Sequence, residues 1–572
     1  MTALMHTQVE IEPRMTASPW WLSGRAIIAW WLLAGAALLF GIGAPPVQRT
    51  QEARVLECAR EMLGGGARAW MVPKLDGHLR VRKPPLSYWL ASSAYEIGGV
   101  SEGVGRIPTA LLGWLTLGIT FACADWLFNR RAAFFAAACL LCSYLFFRYT
   151  RLAETDAPAM CFVTLAIFAF WKAVGHPDQK IGTGAIFVPN GRQTSKTPEK
   201  TGDRKIAPVP VFGSGVWFHI GAAATGLAIL SKGPPGFYPP LFLLIIAALG
   251  GQWNALRRFV TSGAPITLLV IAAPWFIYIL NTVGIDQWRK ESDELLGGED
   301  HWAPFYNYFV EMFKATAPWC LVMPGALIAG VVRWRDRRIQ GLLVWLALIF
   351  VPLCLIANKQ FHYLMPLMPP LMILIGWWLD LALGEGSESR PRGFIPLIDL
   401  TLLLTALAVI ALPIAARAGG TRMNSLDWAL TAEIAAGVLV VLIVLVRFGR
   451  QAALVVYLAA VLAVMVPAVT YLAPRYEDSN SREVARVIRD HFGDGPYCFY
   501  GKNLSLQLCF NWKEQVPQEV TREDLEELLK TEPNVVVIAQ TKPAHAPPEL
   551  PPGFHAEWRL PLPKQVIVFY RR

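Results

Sequence analysis

Two acidic positions, far apart in the 572-residue chain, could do acid–base chemistry at a membrane surface. Glu52 lies in "QEARVLECAREML" (51–63), just after the first long apolar run, and Asp156 follows Glu154 in "RYTRLAETD" (148–156), where another apolar run begins. A carboxylate in such a place can accept a proton from a hydroxyl group or hold a divalent metal ion. The alternative for each is a charge at the end of a span with no chemical role.

Basic side chains are predicted at the same membrane level. Arg82 and Lys83 are candidate binding residues in "RVRKPPLSYWL" (80–90), in which Arg80 has no assigned role. The other candidates are Arg54, Lys232 in "LSKGPPG" (230–236), and Lys359 and His362 in "NKQFHYLMP" (358–366). Lys and Arg bind phosphate by charge-assisted hydrogen bonds, although a single Lys can also simply extend along an apolar surface toward water. A carboxylate beside a phosphate site and acyl chains predicts glycosyl transfer from a polyprenyl-phosphate sugar, with the carboxylate as base and the cations stabilising the leaving phosphate.

The elements that must position these residues are membrane helices. The chain is 54% hydrophobic and 16% charged, whereas soluble domains carry about 25% charged residues. The chain is therefore predicted to be a polytopic membrane protein. Its formal charge of +10 is expected to lie in cytoplasmic loops rather than to form a nucleic-acid-binding surface. No zinc-type Cys/His spacing occurs in the sequence. The first apolar run, behind Arg14 and Arg25, is predicted to be an uncleaved anchor.

A spanning helix needs about 20 apolar residues, and thirteen runs qualify: 24–43, 103–127, 131–148, 154–175, 213–231, 234–250, 262–282, 314–332, 340–357, 361–382, 394–416, 428–446 and 451–472. The segment 86–98 is too short and is predicted to be a membrane-surface or re-entrant helix. With this count and the N-terminus inside, all six inner loops are basic, as the positive-inside rule requires. The outer side then receives loop 44–102, the turn 148–156, loop 283–313 and the tail from residue 473.

The chain is therefore predicted to have two parts. Residues 1–472 form the transmembrane domain, in which 176–212 is a polar cytoplasmic linker and 51–63 an amphipathic helix on the membrane surface, with Glu57 and Glu61 on a solvated face. Residues 473–572 alternate helical and strand patterns, which predicts a small α/β domain on the outer side. Cys498 and Cys509 in this tail could pair in an oxidising compartment or remain two core thiols.

The quoted motifs resemble those of a known family. The run "EARVLECAREML…MVPKLDGHLRVRKPPLSYWLASSAYEIGGVSEGVGRIPTALLGWL" is similar to the first outer loop of the C-type (GT-C) membrane glycosyltransferases, in the protein O-mannosyltransferase and lipid A 4-amino-4-deoxy-L-arabinose transferase family. "RLAETD", "LSKGPPG", "PWFIYIL" and "KQFHYLMPLMPPL" resemble its later blocks.

The resemblance implies a mostly α GT-C-type fold of about thirteen transmembrane helices in the inner (plasma) membrane, with the C-terminal domain on the outer side. It implies transfer of a sugar, with inversion, from a polyprenyl-phosphate donor to a lipid A-like lipid or another hydroxyl or phosphate acceptor. Lys83 matches the Lys that contacts the carrier phosphate, Arg54 the Arg of the first motif, and Asp156 the acid of the second outer turn. Four further matches recur in the family with less definite roles: Lys232, Lys359, His362 and Tyr363.

Two positions depart from the family pattern, which reads roughly "DEARYAEIAREML" and "EKPPLxYWL". Gln51 replaces the first acid, and Arg82 replaces the Glu before Lys83. The resulting site is more positive, so a divalent metal should bind more weakly and a dianionic or pyrophosphate ligand more strongly. The metal requirement stays open, and Glu52 or Asp156 must act as the base.

Two other functions compete with an active enzyme. The substitutions at 51 and 82 would also suit a catalytically silent relative that binds a lipid-linked sugar or scaffolds a surface-glycan complex. A transporter is disfavoured, because the spans show no evident inverted repeat and few mid-membrane charges.

Overall fold

The computed structural model describes residues 20–75, 77–175, 214–289, 302–383, 425–472, 481–493, 495–501, 508, 510–511, 520–541, 550–561 and 566–572. Within these residues the chain is mostly helical, as predicted. The predicted linker 176–212 and the apolar run 394–416 lie outside the described residues.

The α-helices in the membrane part and its loops are Gly24–Leu39, Thr50–Met62, Gly66–Met71, Leu86–Gly98, Glu102–Leu127, Arg130–Leu141, Tyr144–Tyr149, Asp156–Val174, Ser214–Lys232, Tyr238–Leu249, Trp253–Thr261, Ala264–Thr282, Asn307–Thr316, Val322–Val332, Arg337–Leu355, Met368–Leu383, Ser425–Phe448 and Arg450–Pro467. Twelve of the thirteen predicted spans overlap these helices. Six helices in the described part are long and apolar enough to cross a membrane: Glu102–Leu127, Asp156–Val174, Ala264–Thr282, Arg337–Leu355, Phe361–Leu383 and Arg450–Tyr471. The count of thirteen stays a prediction.

Two predicted spans, 131–148 and 314–332, are not continuous helices. The second consists of the end of helix Asn307–Thr316, a 3-10 turn at Trp319–Leu321 and helix Val322–Val332. The first divides into Arg130–Leu141 and Tyr144–Tyr149. The backbone N–H of Tyr144 donates to the carbonyl of Ala317 (3.0 Å), and the Ser143 hydroxyl donates to the carbonyl of Cys139 (2.7 Å). A partner distant in sequence therefore takes a donor that a continuous helix would use internally.

The segment before the second long helix forms a compact group of short elements. Helix Thr50–Met62 buries Leu56 and Ala59, and the Ser92 hydroxyl of helix Leu86–Gly98 donates to the Ala59 carbonyl (2.9 Å). A two-stranded hairpin, Lys74–Leu75 with His78–Leu79, lies between these helices in sequence. The helix Leu86–Gly98 is confirmed as a helix, while its position in the membrane stays a prediction.

The prediction that Glu57 lies on a solvated face is wrong. Its side chain is buried and forms an ion pair with Arg60 of the same helix. Arg60 also donates to the carbonyl of Phe510 (3.3 Å), whose ring belongs to the same apolar cluster as Leu56. The helix is therefore covered on a second side by the C-terminal tail, which periodicity within 51–63 cannot show.

The tail contains the predicted helices and strands. Helices Ser481–Phe492 and Arg522–Thr531 accompany strands Tyr497–Phe499, Val536–Thr541, His555–Pro561 and Val566–Arg571. The strands, numbered β3 to β6 after the two strands of the hairpin, form one sheet in the order β3-β4-β6-β5, with β3 parallel to β4 and the other pairs antiparallel. Arg482 attaches the tail to the membrane part through Glu102 (2.7 Å) and the Gly43 carbonyl (2.9 Å). The domain boundary at 473 and the outer-side location stay predictions, as does the Cys498–Cys509 disulfide, because residue 509 lies outside the described residues.

Candidate active site

Asp156 and Lys232 meet where two packed helices end. Asp156 is the first residue of helix Asp156–Val174 and Lys232 is the last residue of helix Ser214–Lys232. The distance from the Lys232 Nζ to the Asp156 Oδ1 is 2.5 Å, and both side chains are largely buried. An acid at a helix N-terminus and a base at a C-terminus are also favoured by the two helix dipoles. The pair joins two sequence-predicted residues separated by 76 positions.

His362 and Tyr363 complete one side of this pair. The His362 Nε2 lies 3.8 Å from the other Asp156 oxygen, and the Lys232 Nζ lies 4.1 Å from the centre of the Tyr363 ring. Such a cation–π contact stabilises a charged Lys in a desolvated place. Four of the predicted residues therefore form one group.

A second carboxylate, Glu154, lies beside this group. Its Oε1 is 2.8 Å from the Nε of Arg49, and Arg49 also bonds to the His362 Nδ1 (3.1 Å) and to the Tyr149 hydroxyl. The His362 and Tyr149 rings stack with centroids 5.7 Å apart. Burial raises the pKa of Glu154 to about 7 against the opposing effect of Arg49.

Lys83 faces the same group from the first loop. Its Nζ donates to the Gln51 side-chain oxygen (3.1 Å). Burial and the nearby Lys232 lower the pKa of Lys83 to about 7, with Asp156 acting in the opposite direction. An amide accepts this hydrogen bond without neutralising the ammonium, so the Gln51 substitution leaves Lys83 available for an anionic ligand.

Carrier affinity should therefore depend on pH. A phosphate monoester is a dianion above a pKa of about 6, whereas Lys83 loses its proton as the pH rises through about 7. Because the bound phosphate would hold Lys83 protonated, we expect the affinity for a polyprenyl phosphate to fall by roughly tenfold per pH unit above 7. The measurement is carrier binding to the protein in nanodiscs from about pH 7 to about pH 9. The phosphate is a dianion throughout this range, about one to three units above its pKa.

The matched variant is Lys83→Arg, whose guanidinium stays charged over this range. Its slope should be nearly flat, and any residual slope reports Glu154, which titrates in the same interval. Equal slopes in the two proteins would contradict the assignment of Lys83.

Arg54, Arg80 and Arg82 form a basic cluster next to Lys83. Arg80 is 5% exposed, and the other two side chains are partly buried. Burial, followed by the charges of Arg80 and Arg82, lowers the pKa of Arg54 to about 10. The cluster includes two predicted binding residues and one, Arg80, to which the sequence assigned no role.

Glu52 has a different environment from Asp156. It is fully buried, and its Oε1 accepts from Arg106 at 2.6 Å. Its other oxygen accepts from Arg106 (3.1 Å) and from the backbone N–H of Gln48 (3.0 Å), and the Ala153 N–H lies 3.3 Å from Oε1. These partners occupy both oxygens, so Glu52 connects the first loop to the turn that carries Glu154.

Lys359 does not join the group through its described contacts. It is buried, donates to the carbonyl of Ile356, and lies 5.9 Å from the Tyr308 ring centre. The first contact is to the C-terminal cap of helix Arg337–Leu355 and the second is to helix Asn307–Thr316. Its predicted role in binding stays a prediction without support from geometry.

Sequence reasoning missed Arg49, Tyr149 and Arg106 as contributors. Tyr149 stands in the quoted turn "RYTRLAETD", and Arg49 precedes the first motif by two residues, so closeness to motifs was an available signal. Arg106 could not be recognised in this way, because it lies inside the predicted membrane span 103–127.

Glu154, Asp156 and His362 have ligand atoms within 4.8 Å of one another and could geometrically hold a metal ion. Each carboxylate, however, already pairs with a cation, Arg49 or Lys232. A divalent ion would have to displace an ammonium or guanidinium group from a buried site. The donor set therefore fits a metal ion poorly.

Removing divalent ions should leave activity intact. We expect protein dialysed against excess EDTA to transfer sugar at the rate of untreated protein, because Lys232 and Arg49 already supply the positive charge. Loss of transfer that Mg²⁺ or Mn²⁺ restores would contradict this, and a binding measurement before and after EDTA would show whether the carrier site is affected.

Comparison with known proteins bears on the fold and on the family resemblance. Residues 82–188, which contain Lys83 and Asp156, match the family model described as dolichyl-phosphate-mannose-protein mannosyltransferase. The structure matches that of ArnT from Cupriavidus metallidurans bound to undecaprenyl phosphate with a TM-score of 0.73 and 18% identity, covering 96% of this chain and 98% of that one. The chain has a C-type glycosyltransferase fold. The family resemblance predicted from the sequence is confirmed.

Sequence relatives of this C-type fold carry more specific names. The undecaprenyl phosphate-alpha-4-amino-4-deoxy-L-arabinose arabinosyl transferase of Edwardsiella ictaluri is 26% identical over 411 residues, covering 68% of this chain and 66% of that protein. The transferase 1 of that name from Pseudomonas fluorescens is 26% identical over 377 residues, covering 62% of this chain and 58% of that protein. The aligned part thus spans less than two thirds of these relatives.

Proposed function

We propose that this protein transfers a sugar from a polyprenyl-phosphate carrier to a hydroxyl or phosphate acceptor on a lipid A-like lipid at the outer side of the inner membrane. The observation that carries the proposal is the ion pair of buried Asp156 with Lys232 at the ends of two apolar helices, within electrostatic reach of Lys83 in the first loop. Relatives named for undecaprenyl phosphate-linked aminoarabinose, and ArnT bound to undecaprenyl phosphate, support the carrier class.

In the proposed reaction the acceptor oxygen attacks the anomeric carbon of the sugar, and the bond from that carbon to the carrier phosphate breaks with inversion. Asp156 receives the acceptor proton, and the bonding electrons leave with the phosphate. Lys83 and Arg54 bind this phosphate, and their charges stabilise it as it departs. Lys232 keeps Asp156 ionised between turnovers and is held in place by Tyr363.

The test uses the full-length protein in lipid nanodiscs, a radiolabelled undecaprenyl-phosphate sugar and a phosphorylated lipid acceptor. Labelled acceptor should appear with wild-type protein and should be lost with Lys83→Ala because carrier affinity falls. If the carrier binds but no sugar leaves it, with or without divalent metal, the silent-relative alternative is correct and the enzymatic proposal fails.

A further inference from the structure

The basic cluster of Arg54, Arg80 and Arg82 contains more buried positive charge than one carrier phosphate needs. Arg80 is 5% exposed, and in the described part of the chain the Nε atoms of both Arg54 and Arg80 lack a hydrogen-bond partner. Burying a guanidinium with an unsatisfied donor is costly unless an anion compensates it. Three arginines close together increase that cost through mutual repulsion.

Neighbouring described groups do not neutralise Arg54 or Arg80. Arg80 shares a hydrogen bond with the Tyr88 hydroxyl, a neutral partner. The acids of the adjacent helix are directed elsewhere: Glu52 pairs with Arg106, Glu57 with Arg60, and Glu61 accepts from the N–H of Gly77 (3.2 Å). Across the residues that the structure describes, no carboxylate oxygen lies within 4.0 Å of Arg54 or Arg80.

The cluster adjoins the place proposed for the carrier phosphate. Arg80 contributes to lowering the pKa of Lys83 and, with Arg82, that of Arg54. Arg54 therefore lies within electrostatic reach of both arginines, and Arg80 within reach of Lys83. Guanidinium groups bind phosphate oxygens in pairs of parallel hydrogen bonds.

We propose that Arg80 and Arg82 bind a second phosphate group next to the one that Lys83 and Arg54 bind. This inference rests on the proposed function. The second phosphate has two chemical sources: the distal phosphate of a polyprenyl diphosphate carrier, or a phosphate carried by the acceptor lipid. Arg82, which stands where the family has Glu, makes the site suitable for this added charge.

The experiment compares four probes on the full-length protein in nanodiscs: undecaprenyl phosphate, undecaprenyl diphosphate, a phosphorylated lipid acceptor and the dephosphorylated form of that acceptor. The variants are Arg80→Gln, Arg82→Gln and the double variant. The exposed Arg68 of helix Gly66–Met71 provides Arg68→Gln as the control that removes one positive charge from the same loop. Melting curves of each variant identify folded protein, and Arg80→Lys keeps the charge if Arg80→Gln fails to fold.

If the carrier is the source, wild-type protein should bind the diphosphate more tightly than the monophosphate by about tenfold or more. In the double variant this preference should disappear, because diphosphate affinity falls more than monophosphate affinity. If the acceptor is the source, the double variant should lose the preference for phosphorylated acceptor instead. Arg68→Gln should behave as wild type in both arms.

The inference is overturned if the double variant binds all probes as wild type does, or if Arg68→Gln has the same effect as Arg80→Gln. Failure of the proposed function is separate, since it appears as absence of undecaprenyl phosphate binding by wild-type protein. A protein that binds and transfers from the monophosphate, with no dependence on Arg80 or Arg82, retains the proposed function and refutes only the second phosphate site.

Discussion

Replacing Asp156 with Asn should reduce sugar transfer by about 10²- to 10⁴-fold, the usual contribution of a positioned base. Asp156→Asn keeps the size of the side chain but removes the charge that pairs with Lys232 and the capacity to accept a proton. Carrier affinity should stay within a few-fold of wild type, because Lys83 and Arg54 are unchanged. Single-turnover transfer and equilibrium carrier binding, measured on the same nanodisc preparation, separate the two effects.

Glu154→Gln is the matched control for this prediction. Glu154 lies two positions earlier, is also buried, and is also paired with a cation, Arg49. We expect it to lose much less activity, since its partner Arg49 remains linked to His362. If Glu154→Gln were inactive and Asp156→Asn retained full transfer, the base would be Glu154 and our assignment would be wrong.

Replacing Glu52 should have its largest effect on stability. Loss of the Glu52 charge leaves the fully buried Arg106 without its charge partner. Removing one member of a buried ion pair lowers the free energy of unfolding by about 3–5 kcal/mol. We expect Glu52→Gln to unfold at a clearly lower temperature than wild type. Thermal unfolding of purified protein checks this.

Glu57→Gln provides the control on the same helix. Glu57 is also buried, but its partner Arg60 has 13% of its side chain exposed and can be solvated once the acid is gone, so a smaller loss is expected. A Glu52→Gln protein that melts like wild type but transfers no sugar would identify Glu52 as the base. That outcome would support the sequence-based alternative and refute the structural role.

The sequence located the residues at helix ends better than those inside helices. Asp156, Lys232 and His362 were predicted because each lies near one end of an apolar run, and runs of similar length bring their ends to one level. The sequence cannot show which residues at that level are close together, so Lys359 and Lys232 looked equivalent. Only the packed structure shows that Lys359 turns back to the Ile356 carbonyl.

Other features could not be predicted because they depend on contacts with residues far away in the sequence. Arg106 bonds to the carbonyls of Ile42, Pro45 and Pro46 and to Glu52, yet its position in the sequence indicates only a charge near the start of a span. The break after Leu141 depends on the Ala317 carbonyl. Burial of Glu57 depends on a tail more than four hundred residues away.

The excess of basic groups at the candidate site affects the choice of buffer for purification and binding measurements. Six cations, Arg49, Arg54, Arg80, Arg82, Lys83 and Lys232, surround two acids, Glu154 and Asp156. Repulsion among them disfavours the ligand-free fold, and any anion that binds only the folded state stabilises it by mass action. Phosphate or sulfate in a purification buffer should therefore raise the melting temperature and weaken the apparent affinity for the carrier, whereas chloride or HEPES buffers should expose the affinity of the site itself.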